Sequence, residues 1–295
     1  MKRFIKYLVL VFITVVGCMY VLDYAYTYVY QYSAPRNKTQ YLFQLKHEKL
    51  DFVFLGSSRV QNHIVTELVE SQTSKKALNL GVQGGRLDDV FLMLKILKEN
   101  EVFPEKVFIQ VDYLYNFEGP SVIVGCESLP YIKTNPIVKE HIKENNPSFA
   151  FNYYIPFYRY ASNDFKIGFR EFFCSLLGKK TKLNLEDGFE GKNEKFKDIN
   201  YKLPDSIIQK NTVFIKIDEF CKLNNIDITY FCAPFCSRVY DSDFIEKLKV
   251  KIPELKDFSK SIPEEKYFKD CGHLNEKGAY KFTQMLIDEC INEKK

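Results

Sequence analysis

The chain has 295 residues, 46% of them hydrophobic, enough to build the core of one sizeable α/β domain or two small ones. Forty-two Lys and Arg against 38 Asp and Glu leave a net charge of +4, part of it in the two chain ends. No basic stripe interleaved with aromatics stands out, so nothing supports nucleic-acid binding, and the Tyr- and Phe-rich, Trp-free composition names no ligand.

Lys2, Arg3 and Lys6 precede Tyr7 to Pro35, a stretch of 29 residues whose only charge is Asp23. A bilayer core takes about 20 apolar residues in a helix, so Tyr7 to about Val29 suffices if Asp23 lies near the far interface. The tyrosines at 20, 24, 26, 28, 30 and 32 suit an interfacial belt, and the basic residues before the span favour a cytoplasmic N-terminus. Residues beyond about 33 are then expected outside the cytoplasm. A cleaved signal peptide competes, and Val15-Val16-Gly17-Cys18 resembles a bacterial lipoprotein cleavage box. The apolar run continues through "MYVLDYAYTYVY" after Cys18, which favours an uncleaved signal anchor at 1–32. The eight cysteines follow no framework spacing, and Cys232 and Cys236 have no paired cluster, so neither a disulfide scaffold nor a zinc site is indicated.

Residues 33–50, which include "SAPRNKTQ", read as a linker that ends the anchor. "DFVFLG" then reads as a buried strand, "VQNHIVTELVESQ" as a helix, and "KALNLG" as a second strand running into the Gly-rich turn "GVQGGR". "LDDVFLMLKILKEN" has strong helical periodicity, and "EKVFIQVDYLY" is a third strand. Strand and helix alternate as in a parallel sheet with crossover helices. The pattern breaks between about 116 and 203, an aromatic-rich insertion carrying "SFAFNYYIPFYRYASNDFKIGFREFF" and a flexible loop expected around Glu186 to Lys197. Its aromatics fit covering the sheet better than lining an acceptor groove. A helix over "SIIQKNTVFIKIDEFCKLNN", the strand "IDITYFCAPF", a helix over about Ser242 to Lys251, and a final loop and helix complete the chain.

Functional groups of such sheets gather at the carboxyl ends of the strands. Ser57 and Ser58 follow the first strand, Gly81 to Gly85 the second, and Asp112 to Asn116 the third. A serine needs a base to become a nucleophile, and a histidine base needs a carboxylate to fix its tautomer. Of the four histidines, His47 and His141 read as solvated residues, and His63 has no carboxylate near it in sequence. His273 differs, because "DCGHLNEKGAYKF" puts Asp270 three residues before it in a loop held by Gly272. Either Ser57 or Ser58 can also simply cap the helix that follows.

Taken together and in this order, "LGSSR", "NLGVQGGR" and "DCGHLNEKGA" resemble the blocks of the SGNH, or GDSL-like, hydrolase superfamily. The resemblance covers 51–295 apart from the insertion. It implies a flavodoxin-like three-layer α/β sandwich with a central parallel sheet, preceded here by a transmembrane helix. It also implies Ser58 as nucleophile, Asp270 and His273 as its partners, and the N–H groups of Ser58 and Gly84 as oxyanion donors. Ser57 stands where the family has an acid. The third block departs further, since "VFIQVDYLYNF" has no GxND; Asn116 is the amide left to reach the oxyanion, Asp112 reads as structural or as a binder of substrate hydroxyls, and Arg59 as a contact for an anionic substrate or a surface ion pair.

No metal or cofactor is implied. Anchored relatives of this layout modify cell-surface polysaccharide or cell-wall polymer, often beside a polytopic membrane acyltransferase. An esterase or O-acyltransferase acting on acyl, above all acetyl, esters of a glycan is therefore expected at the cell membrane with its C-terminal domain extracytoplasmic. The other reading is a catalytically inactive SGNH-like protein that binds glycan or organises assembly.

Overall fold

The computed structural model describes residues 1–193, 196–197, 201–240 and 242–292. In chain order its elements are α1 (Lys2–Tyr32), α2 (Lys38–Gln44), β1 (Phe52–Leu55), α3 (Ser58–Gln61), α4 (Thr66–Thr73), β2 (Ala77–Asn79), α5 (Leu87–Glu99) and β3 (Lys106–Gln110). Six short helices follow, α6 (Val122–Ser128), α7 (Pro136–Asn145), α8 (Phe149–Tyr154), α9 (Tyr158–Ala161), α10 (Asp164–Ile167) and α11 (Phe169–Leu176). The remainder comprises α12 (Thr212–Leu223), β4 (Asp227–Cys232), α13 (Phe244–Lys251), β5 (Lys256–Asp257), β6 (Phe268–Asp270), β7 (His273–Leu274) and α14 (Glu276–Leu286). They form two compact units, 1–44 with 122–181, and 45–121 with 182–295.

The second unit is built on a five-stranded parallel sheet in the order β2-β1-β3-β4-β5. Its inner strands are short unbroken apolar runs because both faces are covered. Phe52, Phe54, Phe108 and Phe231 face Phe282 and Leu286 of α14 in one core. On the opposite face Tyr230 meets Phe214 of α12, and Phe220 of α12 meets Phe91 of α5. The strand order reverses between β1 and β3, the switch point at whose carboxyl ends functional groups of such sheets gather.

Several boundaries differ from the sequence pattern, each for a local reason. The helix expected from Val60 on is split into α3 and α4, because the Thr283 hydroxyl donates to His63 O and accepts from Val65 N–H. The α12 helix begins only at Thr212, where the Asn211 side chain accepts the Val213 and Phe214 N–H groups. Asp187–Glu190, within the loop expected to be flexible, is fastened: Asp187 O accepts from Asn79 N–H and the Thr66 hydroxyl, and Glu190 N–H donates to Gln61 O. That contact covers the β2 edge of the sheet. Glu194 and Lys195 of the same loop lie outside the described residues.

The first unit joins α1 to most of the aromatic insertion and to α2, a helix within the stretch read as linker. On length and composition α1 can cross a membrane, and none of its most apolar window is buried. Burial begins at Asp23. Of the six tyrosines read as an interfacial belt, Tyr26 and Tyr30 are buried among insertion aromatics instead, Tyr26 stacking on Phe172 at 3.9 Å between ring centroids and Tyr30 on Tyr160 at 5.9 Å. Asp23 carries the other half of the joint, with Arg159 Nη1 at 3.1 Å, Lys133 Nζ at 3.1 Å and Phe157 N–H at 2.9 Å.

Candidate active site

Strand β1 runs straight into a tight turn at Gly56, whose φ of +153° disfavours a side chain and whose Cβ would stand 2.6 Å from Val60 and 2.7 Å from Gln110. The two serines after it divide their duties. Ser57 caps α3, its Oγ accepting from Arg59 N–H and donating to Gln110 Oε1, which also accepts the Ser57 N–H. Ser58 is left to point elsewhere.

Its Oγ lies 2.9 Å from His273 Nε2. On the far side of the ring, His273 Nδ1 is 2.9 Å from one Asp270 oxygen and 3.2 Å from the other. An ionised carboxylate only accepts, so Nδ1 carries the imidazole proton and Nε2 is free to take one from serine. Burial alone would raise the Asp270 pKa, but the hydrogen bond and charge of His273 and the N–H groups of Gly272 and His273 outweigh it and hold the carboxyl below its ordinary value. The carboxylate therefore persists wherever the histidine is neutral.

The Gly-rich turn packs directly on the serine turn. Val82 N–H donates to Gly56 O, and a Cβ on Gly81 or Gly85 would stand within 2.4 Å of Gln61 N or 2.8 Å of Gly56 O, so only glycine allows this approach. Gly84 sits in the turn at φ +67°. Among the described residues neither its N–H nor that of Ser58 has an acceptor. Asn116 is not in this group. The third block ends in a single 3-10 turn capped by Asp112, which carries the Asn116 amide to Ser206 O at 2.7 Å and Ile208 N–H at 3.1 Å. Both ends of the amide are therefore tied to the 206–208 segment, away from the Ser58–His273–Asp270 line.

Arg59 corrects both roles expected of it. Its side chain is wholly buried, paired with Asp112 at 2.9 Å and donating to Ala233 O and Pro234 O, with the guanidinium over the Phe235 ring. Burial pulls its pKa down, and the Asp112 charge, with smaller contributions from Tyr201, Cys232 and Tyr113, more than restores it. Asp112, equally buried, also accepts from Gln110 Nε2 and Leu114 N–H, so it is structural and has no exposed oxygen for a substrate hydroxyl. This network ties the carboxyl ends of β1, β3 and β4 together beneath the serine.

Three supports of the histidine escape sequence reading. The Leu274 N–H donates to Nε2 of His63, a buried ring whose pKa is driven well down by desolvation, then by Arg59 and His273. Cys271, between Asp270 and His273, forms a disulfide with Cys236, which removes Cys236 from any pairing with Cys232. The Tyr201 ring closes over Gly272, where a Cβ would come within 2.7 Å of it. A Gly beside the Asp-Cys was the one visible sign that something approaches the loop closely. Among the described residues no three His, Cys, Asp or Glu side chains gather to hold a metal ion.

No family model matches the chain, and no curated protein matches it either. Solved structures that resemble it include one from Streptococcus pneumoniae, provisionally described as a platelet activating factor, at 13% identity and a TM-score of 0.40 over 85% of this chain and 88% of that one. So loose a likeness carries no argument about chemistry.

Proposed function

We propose that the chain is a membrane-anchored serine enzyme of the SGNH type, with the flavodoxin-like three-layer architecture of that superfamily, acting on acyl esters of cell-surface polysaccharide or cell-wall polymer. The observation that carries this reading is the unbroken hydrogen-bonded line from Ser58 through His273 to Asp270.

In the proposed reaction, Ser58 Oγ attacks the ester carbonyl carbon as its proton passes to His273 Nε2, and Asp270 stabilises the imidazolium. The tetrahedral oxyanion takes hydrogen bonds from the Ser58 and Gly84 N–H groups. Collapse breaks the ester C–O bond, His273 returns the proton to the departing alcohol, and the acyl group stays on Ser58. Water activated by the same histidine then completes an esterase cycle. A sugar hydroxyl in its place completes an O-acyl transfer, for which a polytopic membrane acyltransferase is a fitting neighbour and donor.

The basic residues before α1 favour a cytoplasmic N-terminus, and the disulfide suits an oxidising compartment. Both support an extracytoplasmic site. The engaged amide of Asn116 favours the second reading, an inactive glycan-binding or assembly protein with two oxyanion donors only. Fluorophosphonate labelling of the full-length protein in detergent separates the two. The whole chain is required because Asp23, Tyr26, Val29 and Tyr30 are packed into its unit. Stoichiometric labelling lost in both Ser58→Ala and His273→Ala is expected; a folded protein that takes no label belongs to the second reading.

A further inference from the structure

The first unit exposes large apolar side chains in an unusual concentration. Phe151, Tyr154 and Ile155 are exposed around α8, and Phe165, Phe169 and Phe173 around α10 and α11, with Tyr154 at 71% and Phe169 at 66%. In the second unit the exposed ones, such as Phe103 and Leu223, stand singly, which is ordinary for a protein surface.

Helix geometry fixes the height of this face. Phe4–Leu22, the exposed part of α1, rises about 28 Å, close to the roughly 30 Å of a bilayer's hydrocarbon core, with Lys6 able to snorkel outward. Beyond the core lies a headgroup layer of about 5–7 Å. Two contacts join the apolar face to α1 inside that layer. Phe157, two residues after Ile155, donates its N–H to Asp23, the first buried residue of the helix. Phe172 stacks on Tyr26, about 4.5 Å further along the axis, and its neighbour Phe173 packs on Phe169 at 4.6 Å between centroids. Lys166 and Arg170 lie between these rings in the chain and Lys179 and Lys180 follow just after them, the pairing of aromatic and basic side chains that the interface favours.

We infer that the 151–177 face of the first unit is seated in the headgroup layer of the bilayer that α1 crosses, as an interfacial platform and not a free surface. The inference rests on the anchor reading, and its occupant is lipid.

The chain contains no Trp, so each single replacement is its own reporter. Full-length Phe12→Trp, Tyr154→Trp, Phe169→Trp and Phe103→Trp would be reconstituted in phosphatidylcholine–phosphatidylglycerol vesicles carrying acyl chains brominated at shallow or deep positions. Expected are blue-shifted emission and loss of signal to shallow bromines at 154 and 169, loss to deep bromines at 12, and no loss at 103. Unquenched 154 and 169 beside a quenched 12 overturn the platform and leave the anchor standing. Blue-shifted but unquenched emission at 154 and 169 overturns it too, in favour of a second copy or a protein partner on this face. An unquenched 12 removes the anchor and the platform with it.

Discussion

Each unit buries one arginine completely against an aspartate, and the two pairs hold different things. Arg59 meets Asp112 and two carbonyls beneath the serine turn, so its charge is met on several sides by groups from β3 and β4. Arg159 meets Asp23, the one acid of the apolar N-terminal stretch, with Thr27 and Lys133 around it. The first pair stiffens a site, whereas the second fastens a helix to the body that surrounds its end. Buried ion pairs are weak sources of net stability, but removing one partner strands the other. Their value lies in geometry, and the two geometries serve different ends.

The largest effect should separate chemistry from support. Asp270→Asn keeps the shape of the loop but leaves the histidine in the wrong tautomer, so the ester turnover that the proposed function requires should fall by about 10⁴-fold with little loss of stability. A fall of less than tenfold would mean that the line from Ser58 to Asp270 is not the working one. Next come the two arginines. Arg59→Met and Arg159→Met should each cost about 3–5 kcal/mol in chemical denaturation of the full chain. Only Arg59→Met should also depress turnover of the fraction that remains folded. Equal kinetic effects of the two would erase the distinction drawn above. In the double variant Arg59→Met/Asp112→Leu much of the stability should return, since no charge is left unpaired.

What could be read from sequence follows from the range of the contacts. The strands were legible because a buried parallel strand is a continuous apolar run, and Asp270 with His273 because three residues of loop suffice to join them. Ser58 was legible only in company, since its partner lies 215 residues away and a serine after a strand is just as suited to capping, the duty that Ser57 performs. The Arg59–Asp112 pair, the His63–Leu274 bond and the Cys236–Cys271 bridge span 53, 211 and 35 residues with no local pattern to mark them. Asn116 misled because its distance from β3 was right while the direction of a single 3-10 turn, which carries it to Ser206, is not written in spacing. Asp23 was visible as an exception in an apolar run, but the insertion arginine that meets it was not.

A third test concerns the disulfide, which has no counterpart in the first unit among the described residues. Closing a loop of this length in the unfolded chain corresponds to about 3–4 kcal/mol, so Cys236→Ser/Cys271→Ser should lose about that much stability. Turnover should fall as well, because Cys271 lies inside the Asp270–His273 loop. Unchanged turnover would assign the loop's rigidity to Tyr201 and the β6–β7 pairing instead.

The smallest expected effect is the one that reaches furthest into the support of the histidine. His63 is neutral in the fold because burial, Arg59 and His273 all depress its pKa, while in the unfolded chain it titrates near 6.5. Below that pH the unfolded state binds a proton that the fold refuses, so stability should drop by about 1.4 kcal/mol per pH unit on the way down to the folded pKa. Asp89 works in the opposite sense, since burial raises its pKa to about 6 and its contribution is lost as pH rises through that value. Asp270, with a lowered pKa, loses its contribution only in more acidic solution and leaves this window alone. The difference between wild type and His63→Gln therefore isolates the one group, because glutamine can still accept the Leu274 N–H yet does not titrate. Stability curves that diverge between pH 6.5 and 5, with the variant flatter, are expected; parallel curves would mean that the folded protein protonates His63 as readily as the unfolded chain does, so that the ring is not the sealed support of the Asp270–His273 loop described above.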